Sequence, residues 1–207
     1  TAPPPPVVNL GTASPFGILA GSTVTCAGAP GTVSAQIGIW PGGALTGFPP
    51  CTSGPTHLAD AVAQTAQGDL TTEYNALAGH PCGTVVGTVN IGSTTRAAGV
   101  YCSASSMLVT GDITLDGGGD PNGTFVFQAG STLTTAGSVI LINGAQARNV
   151  FWQVGSSATI GGGPATWRGN ILALSSITLN NSVTLIGRAL ARNGAVTLGT
   201  SNTITLP

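Results

Sequence analysis

The chain has 207 residues, a formal net charge of −1 and only 5% charged residues, none of them lysine, alongside 32 glycines. A soluble domain ordinarily carries about 25% Asp, Glu, Lys and Arg, so solubility must come from hydroxyls and amides, and there is no electrostatic footprint for nucleic acid or an anionic membrane. The length suits one domain over residues 1–207, and no apolar run reaches the roughly 18 residues of a membrane-spanning helix.

In chain order, the Pro-rich residues 1–6 are an extended lead-in. With no initiator Met or basic stretch before them, a mature secreted chain freed of its signal peptide is expected. Residues 7–52 read as β-rich, with turn signals at Gly28–Gly31 and Pro41–Gly43. A helix is predicted over 56–79. Thr56 offers an N-cap, and Leu58, Val62, Ala66, Leu70, Tyr74 and Leu77 form one apolar stripe that Gly79 and Pro81 end. At 1.5 Å per residue it is about 33 Å long, the length of a small domain.

From Gly83 onward, short Val, Ile, Leu and Thr runs alternate with Gly, Asn and Ser, the pattern of many short strands. Ser-Ser-Ala-Thr-Ile (156–160), Ser-Ser-Ile-Thr-Leu (175–179) and Gly-Ala-Val-Thr-Leu (194–198) set Ala158, Ile177 and Val196 at intervals of 19 residues. Ser-Thr-Leu-Thr-Thr (131–135) joins this column after a longer excursion, Ser-Thr-Val-Thr-Cys (22–26) is an early copy, and 105–109 a less regular one. Each period holds about three short strands, which predicts a mainly β, three-sided discontinuous solenoid with one long helix packed alongside. The early copy fits if the helix carries the chain from one end of the stack to the other. The first coil then pairs with the last and covers its edge.

Reactive groups are few. Cys26, Cys51, Cys82 and Cys102 lack Cys-x-x-Cys spacing, and only His57 and His80 are available to join them, so zinc is disfavoured against two disulfides. Four cysteines allow three connectivities, of which the sequence-neighbour pairs Cys26–Cys51 and Cys82–Cys102 are favoured. The acids are Asp60, Asp69, Glu73, Asp112, Asp116 and Asp120, the first three in the predicted helix. Asp112, Asp116 and Asp120 match no calcium loop, and Arg96, Arg148, Arg168, Arg188 and Arg192 are too scattered for an anion clamp. No catalytic site, metal or cofactor is expected.

Strand alternation points Val24, Leu133, Ala158, Ile177 and Val196 inward. Their neighbours then face out: Thr23 and Thr25, Thr132 and Thr134, Ser157 and Thr159, Ser176 and Thr178, Ala195 and Thr197, with Ser106 and Leu108 extending the ladder. Coils about 4.8 Å apart and alternate strand residues about 6.7 Å apart make a flat grid of hydroxyls and methyls. Water can order around the methyls while the hydroxyls anchor it, which a charged surface with its own oriented hydration shell does badly. Each contact is weak, so affinity must come from repetition and rigidity.

Val8–Ala20, Gly38–Gly42, Leu45–Phe48, Glu73-Tyr-Asn75, Gly99-Val-Tyr101, Phe125–Gln128, Ile142–Val154 and Gly187–Leu190 resemble the corresponding stretches of a widespread family of microbial ice-binding proteins. The resemblance runs from Val8 to Leu206. It implies a right-handed coil of triangular section, secretion, a capping segment over residues 80–104, and adsorption to an ice crystal surface by one flat face. That face varies within the family, so the corner residues Thr135, Asn180 and Thr200 are candidates beside the column, and a second face near Thr184 and Thr203 is a further one. A monomer without nucleic-acid or membrane partners is expected. The competing reading is a cell-surface adhesin or a polysaccharide-binding β-helix module.

Overall fold

The structure is a computed structural model that describes residues 3–207; within the lead-in, Thr1 and Ala2 lie outside the described residues, and residues 3–6 carry no regular secondary structure. Parallel strands stack into coils, each visiting three faces in turn. A helix face is followed by an open face, built on a seven-stranded sheet, and then by a third face. In stack order the coils are 36–53, 16–33, 188–205, 170–186, 150–168, 125–142, 99–116 and 84–97, with Thr56–Leu58 beyond the first. The first coil does pair with the last: Ile18 lies opposite Ala189, Val24 opposite Val196 and Thr32 opposite Thr203. The strands Ala165–Ala173 and Val183–Ala191 run from the third face onto the helix face in one piece. They turn that corner at paired glycines, where Gly169 adopts φ +115°, a conformation that a side chain would oppose.

The helix, Ala61–Gly79, starts later than predicted. Thr56–Leu58 is a strand instead, with Thr56, His57 and Leu58 opposite Ile37, Gly38 and Ile39. Sheet pairing outcompetes an N-cap at Thr56. Ala59 breaks the strand with φ +53°, and the Asp60 carboxylate caps the helix by accepting the Ala63 N–H at 2.8 Å. Leu58 and Val62 therefore leave the apolar stripe and stay exposed. The remainder, Ala66, Leu70, Tyr74 and Leu77, packs on Leu19, Phe151, Leu172 and Leu190 as a second core outside the coils. Polar side chains seal that seam: Gln67 Nε2 donates to the Ala191 carbonyl (3.1 Å), Gln128 Nε2 to Leu77 (2.6 Å), and Tyr74 OH to Val154 (3.1 Å) while accepting from Gln153 (3.0 Å).

Inside the coils the principal core is apolar, with a ladder of stacked rings: Tyr101 and Phe127 at 5.3 Å, Phe127 and Trp152 at 4.1 Å, Trp152 and Trp167 at 4.7 Å. Both disulfides join the sequence-neighbour pairs, Cys26–Cys51 with Cα atoms 6.5 Å apart and Cys82–Cys102 with Cα atoms 5.9 Å apart. Within the segment 80–104, residues 84–97 form the outermost coil and Gly99–Ser103 belongs to the next one inward.

Candidate functional site

The open face is built by alternation. Val24, Leu133, Ala158, Ile177 and Val196 are all buried and mutually in register, with Met107 opposite Leu133 and Leu45 opposite Val24. One residue further along each strand, backbone pairing fixes a second column that faces out: Thr46, Thr25, Thr197, Thr178, Thr159, Thr134 and finally Leu108. Its companion column holds Ala44, Thr23, Ala195, Ser176, Ser157, Thr132 and Ser106. These are tied by Thr23 opposite Ala44 and by the Ile177, Ala158, Leu133 and Met107 N–H groups, which donate to the Ala195, Ser176, Ser157 and Thr132 carbonyls. All ten residues expected on the grid therefore share one face. Thr46 and Ala44 extend it by a coil that the sequence reading left out.

The two columns differ chemically. Ser157 Oγ accepts the Ser176 N–H (3.3 Å), Ser176 Oγ accepts the Ala195 N–H (3.2 Å), and the Thr132 hydroxyl donates to Ser106 Oγ (2.9 Å). Among the described residues, the hydroxyls of Thr25, Thr197, Thr178, Thr159 and Thr134 have no intramolecular partner, so their full hydrogen-bonding capacity faces solvent. The serine column belongs to the frame and the threonine column is free. Of the corner candidates, Thr135 turns inward. It is 2% exposed and its Oγ accepts the Gly161 N–H at 2.9 Å, because the chain turns the corner there and leaves that donor without a strand partner. Asn180 and Thr200 stay at the corner, half-buried.

The third face carries its own threonine column, Thr52, Thr32, Thr203, Thr184 and Thr166, in continuous register. In sequence each of these threonines follows an open-face threonine by six or seven residues. Its companion column is mixed, with Ile186 and Arg168 beside Thr205, and Asp116 farther along. Ile142, opposite Asp116, and Ile140, opposite Thr114 in the other outward column, also protrude from this face. The helix covers the remaining face. Only the open face combines regular register, small side chains and an absence of charge.

Titratable groups lie elsewhere and have structural roles. Asp69 accepts both the N–H and the hydroxyl of Thr12, at 2.7 Å each, which holds its carboxyl below the usual range. Glu73, buried under the N-terminal segment, is pushed up by desolvation although it accepts the Asn9 N–H. Asp116 is held low by the Gly118 N–H and the Asn143 amide. No group of three His, Cys, Asp or Glu among the described residues is placed to hold a metal ion. A cleft of about 460 Å³ beside the helix is lined by Tyr74, Val85, Gln128 and Gln153 and by the Cys82–Cys102 disulfide, with no acid–base pair. Among the described residues no helix is long and apolar enough to cross a membrane.

The profile of the family described as Ice-binding-like matches residues 18–205. An ice-binding protein of Nostoc sp. (strain HG1) is 50% identical over 170 residues, which span 81% of this chain and 62% of that protein. A crystal structure of an ice-binding protein from an Antarctic biological consortium superposes with a TM-score of 0.91 at 44% identity, covering 100% of this chain and 96% of the other. One from the Antarctic ascomycete Antarctomyces psychrotrophicus gives 0.91 at 39% identity, covering 97% and 98%. With the family pattern spanning every coil of the stack apart from the first two residues of coil 16–33, the chain belongs to the ice-binding-like family.

Proposed function

We propose that the protein adsorbs to ice through its open face and thereby inhibits ice growth and recrystallisation. The observation that carries this reading is the column Thr25, Thr197, Thr178, Thr159 and Thr134, whose hydroxyls are in register and free of internal partners. Coils repeat about every 4.8 Å along that column, and its companion stands about 6.7 Å away. Threonine methyls order the overlying water and the hydroxyls anchor it, so the hydrated face presents a lattice-like layer that merges with the crystal. Single contacts are weak, and a rigid array makes them simultaneous. Adsorbed molecules pin the advancing front, and the surface between them can grow only by curving, which costs interfacial free energy. The work is done by a monomer outside the cell. Two disulfides suit an oxidising compartment, and one uninterrupted face in a single chain needs no second copy.

The direct test is ice recrystallisation inhibition at micromolar protein beside a heat-denatured control. Inhibition by the folded protein alone is expected. A folded, disulfide-bonded sample with no effect would overturn the proposal and favour glycan recognition by the same solenoid.

A further inference from the structure

The free threonine column borders the corner between the open and third faces, where strand pairing lapses. Between coils 150–168, 170–186 and 188–205 the strand pairing ends at Ile160, Leu179 and Leu198, whereas toward coil 16–33 it runs on to Thr200 opposite Gly28. Backbone groups at such a corner need other partners, and side chains supply them from coil to coil. Asn202, 1% exposed, donates to the Leu179 carbonyl (3.0 Å) and accepts the Val183 N–H (3.0 Å), while Asn181 accepts the Thr200 N–H at 2.9 Å. One step on, the Asn180 amide donates to the Gly161 carbonyl, and Thr135 takes the Gly161 N–H from the next coil. Asp112 then accepts the Ser138 N–H (2.8 Å), and Asn90 both donates to the Thr110 carbonyl (2.9 Å) and accepts its N–H (2.7 Å). At the opposite end the Cys26–Cys51 disulfide bridges the same corner. Backbone bonds share the work at several steps, the Ser182 N–H donating to the Thr200 carbonyl (2.9 Å) and the Asn180 N–H to the Ile160 carbonyl (2.9 Å), and between 16–33 and 188–205 the Thr32 N–H donates to the Asn202 carbonyl at 2.9 Å.

We infer that this corner ladder is a positioning device for the ice-adsorbing threonines. It rests on the open face being the adsorbing surface. Its members sit next to that column in sequence: Thr135 follows Thr134, Asn180 lies two residues after Thr178, and Gly161 two after Thr159. A slack corner lets neighbouring coils slide and tilt. A few tenths of an ångström per coil accumulate along the column into a mismatch with a crystalline partner, although the fold survives. A merely structural role predicts something else: lower thermal stability with unchanged activity near 0 °C, where a destabilised variant is still folded.

The test compares Thr135→Val, which keeps shape and removes the acceptor, with Thr135→Ser, which keeps the acceptor. Each is assayed for recrystallisation inhibition and amide exchange at Thr134 and Thr159, with Thr159→Tyr in parallel. Folded Thr135→Val is expected to need at least five times more protein for inhibition and to exchange faster at those amides, while Thr135→Ser stays within twofold of the parent. Parental activity in folded Thr135→Val, or an equal loss in Thr135→Ser, overturns the inference. Should Thr135→Val fail to fold, the exposed pair Asn181→Ala and Asn181→Asp decides by the same criteria, since aspartate keeps the acceptor for Thr200. If Thr159→Tyr is fully active, the open-face reading falls and the ladder has nothing to position. If Thr159→Tyr is inactive while folded Thr135→Val is not impaired, the positioning role alone is refuted.

Discussion

Replacing Thr178 with tyrosine places a ring in the middle of the free column, between Thr159 and Thr197 on the adjacent coils and beside Ser176 on its own chain segment. The Thr178 hydroxyl makes no internal bond among the described residues and its neighbour Ile177 carries the packing, so the fold has no reason to respond. The face does respond. A protruding ring holds the lattice off by at least one water diameter, about 2.8 Å or twice a 1.4 Å probe radius. Thr178 and the three residues around it then lose contact together. At about 1 kcal/mol of net hydrogen-bonding value each, four lost contacts cost ~4 kcal/mol, roughly a thousandfold in adsorption. The assay is the lowest protein concentration that stops recrystallisation, with circular dichroism and a melting curve to establish folding. A folded Thr178→Tyr variant whose limiting concentration stays within threefold of the parent refutes this reasoning. Thr203→Tyr, on the third face, is the matched control and is expected to remain active; the reverse pattern would move the adsorbing surface to that face.

Replacing Cys26 and Cys51 by serine frees a crosslink between residues 25 apart. Loop-closure entropy makes this a loss of about 3.5 kcal/mol, or roughly 7–14 °C in melting temperature by calorimetry. Two carboxylates should show opposite pH signatures in thermal melts. Burial raises Glu73 in the folded state, so its ionisation counts against folding: Glu73→Gln is expected to stabilise at pH 8, and the gain to vanish once pH falls below the usual carboxylate range. The Thr12 bonds hold Asp69 low, so it stabilises above the usual carboxylate range and that support fades as pH falls through the depressed value. Asp69→Asn should therefore destabilise at pH 8 and not at strongly acid pH. Tyr74→Phe strands the Gln153 amide under the helix, while the Val154 carbonyl keeps the Leu174 N–H, costing about 1–3 kcal/mol. Its recrystallisation inhibition is expected to be unchanged, because the helix packs on a different face.

Much of the site was legible because the period is visible wherever the coils have equal length. Ala158, Ile177 and Val196 lie 19 residues apart in sequence and opposite one another in the sheet. Thr46 escaped notice where the coil is irregular, since Gly47-Phe-Pro-Pro50 separates it from the next strand and hides the repeat. Thr135 carries the same residue type as its outward neighbour, and only the three-dimensional corner, with its unpaired Gly161 N–H, turns it inward. The helix start was misplaced for a non-local reason. Thr56, His57 and Leu58 are claimed by a strand some 19 residues earlier, a partner that no local pattern of caps and apolar spacing reveals. The third-face column was glimpsed at Thr184 and Thr203, but its extension through Thr32 and Thr52 depends on the first coil joining the last.

An ordinary repeat protein can be shortened from either end and remain a smaller version of itself, because each unit touches only its neighbours in sequence. This chain has no such freedom. Coil 188–205 sits between coils 170–186 and 16–33, so deleting the C-terminal residues removes a slab from the interior of the stack and exposes two raw apolar cross-sections. Synthesis meets the same constraint: coil 16–33 is made long before coil 188–205 and waits for it before that edge is covered, which favours slow folding and an all-or-none product. A half-made chain thus leaves the open face as two separated fragments.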